Sequence, residues 1–135
     1  MSSDNGSQRW ISIGAALMAL LVITGALGAH SLAPHFVADR GAEWWGKAVL
    51  YHALHAFGVL GYGLFLRGHP RRTWPAWCFA LGILLFSGSL YAMALGAPRW
   101  FGMITPFGGT IWIVAWIGFA VQARPAYPRA PEGTR

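Results

Sequence analysis

Two imidazoles and a phenol stand inside an oily stretch of this chain. Tyr51, His52 and His55 lie within the apolar run from Ala48 to Leu66. Positions three apart share a helix face, so a helix here would turn His52 and His55 the same way, with Tyr51 beside them. Such imidazoles can do three kinds of chemistry. They can hydrogen-bond across helices and lock their packing, coordinate a metal or haem or contact a quinone, or relay protons. Further polar side chains, Ser87, Ser89 and Tyr91, share another apolar run, and His30 and Thr105 stand at the ends of two more.

The donor set narrows these options. His52 and His55 could share an ion with His30 as a third ligand, yet no Cys, Asp or Glu is placed to complete the shell. The acidic residues are Asp4, Asp39, Glu43 and Glu132, all outside the apolar runs, which argues against the common ion-coupled transporter designs. There is no HExxH, no Gly-rich phosphate loop and no Ser/His/Asp set, and Gly108-Gly109 alone carries no catalytic meaning. The expectation is a protein without enzymatic activity or cofactor.

The elements that position these groups follow from composition. The chain has 135 residues, 56% hydrophobic and only 10% charged, with mean hydropathy +0.46. That is too apolar for a soluble domain of this length. At about 20 apolar residues per crossing, four spans fit, near 10–29, 44–66, 74–95 and 104–123. They form one transmembrane domain over 9–123, with unordered tails at 1–8 and 124–135. The first run is longer than a signal peptide's apolar region and reads as a retained helix. Pro34 stops it, Trp44 and Trp45 mark a headgroup-level belt, and Pro75 suits the first turn of the third helix. Residues 30–43 form either an interfacial helix or an irregular cap. The single cysteine, Cys78, excludes an intrachain disulfide and reads as an inert buried thiol.

The net charge of +6 does not point to nucleic acid, because Lys and Arg lie in loops and tails rather than along one helix face. They read as topology signals and lipid-headgroup contacts. Seven cations fall in the two tails and the middle loop and three in the other two loops, so the positive-inside rule places both termini in the cytoplasm. Small-residue ridges at Gly25 and Ala29, and at Gly88, Ala92 and Gly96, are candidates for helix contacts. Counted at 1.5 Å per residue, His52 and His55 lie about 10 to 17 Å inward from the Trp44 and Trp45 belt. Ser87, Ser89 and Tyr91 fall at comparable depth from the outer end of their span. Ser12, Thr24 and Tyr62 belong to the inner halves. A polar cluster in the outer half of the bundle, made of His30, Tyr51, His52, His55, Ser87, Ser89, Tyr91 and Thr105, is the strongest expectation.

Four stretches carry a family likeness: GALGAH (Gly25 to His30), WGKAVLYHALHA (Trp45 to Ala56), LFSGSLY (Leu85 to Tyr91) and ITPFGG (Ile104 to Gly109). In this order and spacing the chain resembles the small four-helix membrane proteins of unknown function named after transmembrane protein 256. The resemblance implies a multi-pass protein of the bacterial inner membrane and brings no activity, substrate or cofactor. It also implies Gln at the place of His52, which turns attention to His30 and His55. The expected protein is therefore all-α, an integral membrane bundle of four transmembrane helices. Its expected role is that of a structural or accessory subunit in a homo-oligomer or larger membrane complex, with the lipid bilayer as its other partner. The alternatives are a proton or small-molecule pathway in a homo-oligomer and a histidine-based metal, haem or quinone site.

Overall fold

The fold is known from a computed structural model, which describes residues 2–38, 40–69 and 72–124, with side chains from residue 5 onward. It is all-helical among these residues, and four segments are long and apolar enough to cross a membrane: Asn5–Ala29, Gly41–Gly68, Trp74–Ala94 and Arg99–Gln122. The first rod is α1, Ser2–Ala29, and the second is α2, Gly41–Gly68. The third rod is made of α3, Trp74–Gly82, a π-helical segment, Ile83–Ser87, and α4, Gly88–Ala94. A 3-10 turn, Arg99–Met103, leads into α5, Thr105–Gln122. The carboxyl-terminal tail after residue 124, together with Asp39, Pro70 and Arg71, lies outside the described residues.

Two boundaries differ from the expectation, and one open alternative is decided. Residues 2–8 are not an unordered tail but the opening turns of α1. Propagating an established helix costs far less than nucleating one, and this end is tied down by an Arg67 Nη2–H bond to Gln8 Oε1 of 3.2 Å. α2 starts at Gly41, ahead of the tryptophan pair. The segment between the first two rods is a cap rather than an interfacial helix, with one 3-10 turn, Ala33–His35, and Val37 N–H donating to Ala94 O at 3.0 Å.

Successive rods run antiparallel, so the start of α1 and the end of α5 share one end of the bundle. There Tyr62 Oη donates to Arg72 O at 2.6 Å and Arg72 N–H to Gln122 Oε1 at 3.0 Å. α1 leans mainly on α2. A side chain on Gly14 would put its Cβ 2.7 Å from Leu60 Cα, and one on Gly63 would come 2.8 Å from Ile11 N. Close backbone approach of this kind is what holds helices together in lipid. The ridges expected from sequence are not the ones used: Gly25 has nothing within 4 Å of its Cβ direction, and Gly88 has only contacts of 3.9 Å and beyond.

Two apolar clusters fill the interior. The larger contains Trp10, Val59, Tyr62, Phe79, Ile83 and Trp112, and the smaller Ala48, Leu90 and Met93. Along α2 the polar residues His52 and His55 fall between Ala48 and Ala56, and along the third rod Ser87 and Ser89 fall between Ile83 and Leu90. A buried polar layer thus separates the two clusters.

Candidate functional site

The layer has three parts, each joining different rods. In the first, His52 of α2 is 1% exposed, and its Nδ1 lies 3.4 Å from Tyr91 Oη of α4. Tyr91 Oη is 3.2 Å from Thr24 Oγ1 of α1, and Thr24 Oγ1–H donates to Leu21 O at 3.0 Å. The indole N–H of Trp45 donates to Thr24 O at 3.1 Å. Thr24 spends its one proton on Leu21 O, so Tyr91 Oη–H donates to Thr24 Oγ1 and Tyr91 Oη accepts from His52 Nδ1–H, which completes the row in one direction. His52 Nε2 is buried near the Leu17 backbone without a well-formed hydrogen bond.

The second part joins the third rod to α5. Ser89 Oγ–H donates to Phe86 O at 2.9 Å, a carbonyl that can only accept, so Thr105 Oγ1–H donates to Ser89 Oγ across 2.7 Å. Beside this pair the rods nearly touch, for a Cβ on Gly108 would stand 2.6 Å from Phe86 N. Phe86 and Ser87 belong to the π-helical segment. Single π-helical turns inside α-helices are frequent at functional sites. Ser87 Oγ is fully buried and has no hydrogen-bond partner among the described residues.

The third part is aromatic. His55 Nδ1 lies 2.7 Å from Tyr51 O. A carbonyl accepts only, so Nδ1 carries the proton and the ring is held in one orientation. That ring lies flat on Trp112 of α5, with centroids 3.5 Å apart. Tyr51 is 38% exposed and packs against Phe86 and Trp112, with centroids 4.8 and 5.9 Å away. Trp112 Nε1–H donates to Phe79 O at 3.1 Å.

The structure therefore brings Tyr51, His52, His55, Ser87, Ser89, Tyr91 and Thr105 to one level. It leaves out His30, which is exposed in the turn after α1 and makes no side-chain hydrogen bond or ring contact with them. Among the described residues no three His, Cys, Asp or Glu side chains form a group able to hold a metal ion. His52 and His55 also diverge. Three residues turn a helix by about 300°, so with rods on both sides one ring reaches Tyr91 and the other Trp112.

Sequence reasoning missed Trp45 and Trp112 and assigned Thr24 to the other half of the bundle. Trp112 offered a signal, since Trp is enriched at membrane interfaces and this one sits in the middle of an apolar run. Thr24 offered its place near the outer end of the span 10–29. Its partners are set by register, with Gly28 beneath the Trp45 ring and Gly14 beneath Leu60, which aligns Leu17–Thr24 with His52.

Four membrane-length helices around a buried hydrogen-bonded layer define a small multi-pass membrane bundle. Residues 24–109, a stretch that includes all four motifs, match the family described as "Protein of unknown function (DUF423)", and the chain belongs to it. It is 38% identical over 109 residues to a Staphylococcus epidermidis "UPF0382 membrane protein", covering 80% of this chain and 88% of the relative. It is 37% identical to "UPF0382 membrane protein YwdK" of Bacillus subtilis, covering 84% and 94% of the two chains. With "UPF0382 inner membrane protein YgdD" of Escherichia coli the identity is 33%, over 87% of this chain and 91% of that one. No solved structure matches it. The chain is a membrane protein, as its composition implied.

Proposed function

We propose that the protein is a non-catalytic accessory subunit of the bacterial plasma membrane that associates with a second copy of itself through the flank of α1 facing away from α2. The observation that carries this reading is the exposure of that flank. Only 6% of the apolar window of α1 is buried, against 44% for α2. Ser12, Ala15, Ala16, Ala19 and Ala26 are all exposed there, on the side opposite Gly14 and Gly28. Lipid tails are as apolar as the helices themselves, so association depends on close packing at small residues, and one flank meeting its own copy forms a closed two-fold pair.

The polar layer supports an architectural role as well. Its hydrogen bonds connect α1 to α4, α4 to α2 and the third rod to α5, and the His55–Trp112 stack connects α5 to α2, so it reads as the lock of a rigid unit. His52 and His55 are engaged in separate contacts, which leaves the histidine-site and proton-path readings without a shared centre. In this reading both termini lie in the cytoplasm, because Arg9, Arg67, Arg72 and Arg124 gather at their end of the bundle.

Native mass measurement after purification in a mild detergent tests the proposal. The expected result is a defined oligomer, lost when Ala19→Trp adds bulk to the flank and kept when Ile113→Trp adds it on α5, where Ile113 is 63% exposed. A monomer at native expression level overturns it.

A further inference from the structure

At the end of the bundle away from the termini, the cap between the first two rods and the end of the third rod enclose a cleft of about 160 Å³. That is well above the roughly 10–15 Å³ that admits one water. Its shape comes from backbone chemistry. Gly96, at φ +100°, ends α4, with Gly96 N–H donating to Met93 O at 3.1 Å and Ala97 N–H to Ala92 O at 2.9 Å. This is the paired-bond helix stop that favours glycine. Val37 N–H takes the Ala94 carbonyl, so the carbonyls of Ala92, Met93 and Ala94, which close α4, are each engaged.

Two guanidinium groups from separate segments line it, Arg40 before α2 and Arg99 after the third rod. Arg40 uses Nε and Nη2 on Glu43, at 3.2 and 3.4 Å, and stands 5.8 Å over the Trp44 ring. Its Nη1 makes no hydrogen bond among the described residues. Arg99 has neither a hydrogen bond nor an ion pair among them, and Lys47 shares the Glu43 carboxylate. Trp44 lines the same cleft, Trp45 follows it on α2, and Trp100, 54% exposed, follows Arg99. Tryptophans gather at headgroup level, so this cleft opens where lipid phosphates lie.

We propose that the cleft binds the phosphodiester of an anionic membrane lipid, with Arg99 as the principal ligand and the free edge of Arg40 as the second. The guanidinium fork matches two phosphate oxygens at once. Among the described residues the one carboxylate nearby, that of Glu43, is shared between Arg40 and Lys47. Counting Asp39, which precedes Arg40 in the sequence, the three cations Arg40, Lys47 and Arg99 still outnumber the two carboxylates, so the unmatched charge is positive and selects an anionic lipid over a zwitterionic one. The inference stands independently of the self-association reading.

The test is native mass spectrometry of the detergent-solubilised protein with phosphatidylglycerol or phosphatidylcholine of the same acyl chains. The wild type is expected to retain phosphatidylglycerol preferentially. Arg99→Gln should lower that retention about fivefold, as expected for one cation at a lipid phosphate, with Arg99→Lys intermediate. Arg67→Gln, at the opposite end, should leave it unchanged, and all variants should melt as the wild type does in lipid-free micelles. Equal retention of both lipids, equal losses in Arg67→Gln and Arg99→Gln, or displacement of the lipid by millimolar inorganic phosphate would each overturn the assignment.

Discussion

His55 and Trp112 lie face to face, ring centroids 3.5 Å apart and planes 1° from parallel, and they join α2 to α5 in the middle of the bundle. Trp112 is only 3% exposed and also donates its indole N–H to Phe79 O, so one side chain connects three rods. Loss of a large buried aromatic costs about 3–5 kcal/mol, and Trp112→Ala should fall in that range in reversible unfolding from mixed micelles. Trp112→Phe keeps a ring and gives up the N–H, so about 1–3 kcal/mol is expected from the stranded carbonyl. Equal losses in the two variants would mean that the ring itself contributes little.

Tyr91 and Thr24 should behave as a coupled pair. A double-mutant cycle of Tyr91→Phe and Thr24→Val is expected to give a coupling energy near ~0.6 kcal/mol and below ~2, the range for hydrogen bonds between membrane helices. Strict additivity would mean that the 3.2 Å contact carries no energy.

The serines of the third rod should respond in opposite directions. Ser87 Oγ is buried without a partner among the described residues, so Ser87→Ala removes a desolvated group and should be neutral or stabilising, by up to about 1 kcal/mol. Ser89→Ala breaks the bridge to Thr105 and should destabilise. A lower melting temperature for Ser87→Ala than for Ser89→Ala would contradict the arrangement described.

Glycine substitutions separate close contacts from open positions. Gly25→Ala adds a methyl where nothing lies within 4 Å and gains up to about 1 kcal/mol of helix propensity. Gly108→Ala drives its methyl towards the Phe86 backbone, with a Cβ to N approach of 2.6 Å, and must part α5 from the third rod. Gly25→Ala should melt no lower than wild type, and Gly108→Ala clearly lower.

The four spans were legible because each is an uninterrupted apolar run of crossing length, and the polar layer because His52, His55, Ser87 and Ser89 are conspicuous inside such runs. What the sequence withheld was the choice of partners. A helical wheel groups His52 with His55 but does not say that rods stand on both sides of α2, so their divergence was invisible. Thr24 was misassigned although its place near the outer end of the span 10–29 already set its depth; only its partners depend on how α1 slides along α2, which glycine contacts at Gly14, Gly28 and Gly63 decide. His30 looked like part of the centre because it stands at the outer end of the first apolar run, yet α1 ends before it and it lies exposed in the turn that follows.

The π-helical segment of the third rod acts as a swivel. Wider winding over Ile83–Ser87 advances the screw of that rod, and one residue corresponds to about 100° of rotation. The portion carrying Phe79 is aimed at one set of neighbours and the portion carrying Ser89 and Tyr91 at another. Excising a single residue there would keep the rod nearly as long but rotate its upper part by about a quarter circle, swinging Tyr91 away from Thr24 and Ser89 away from Thr105.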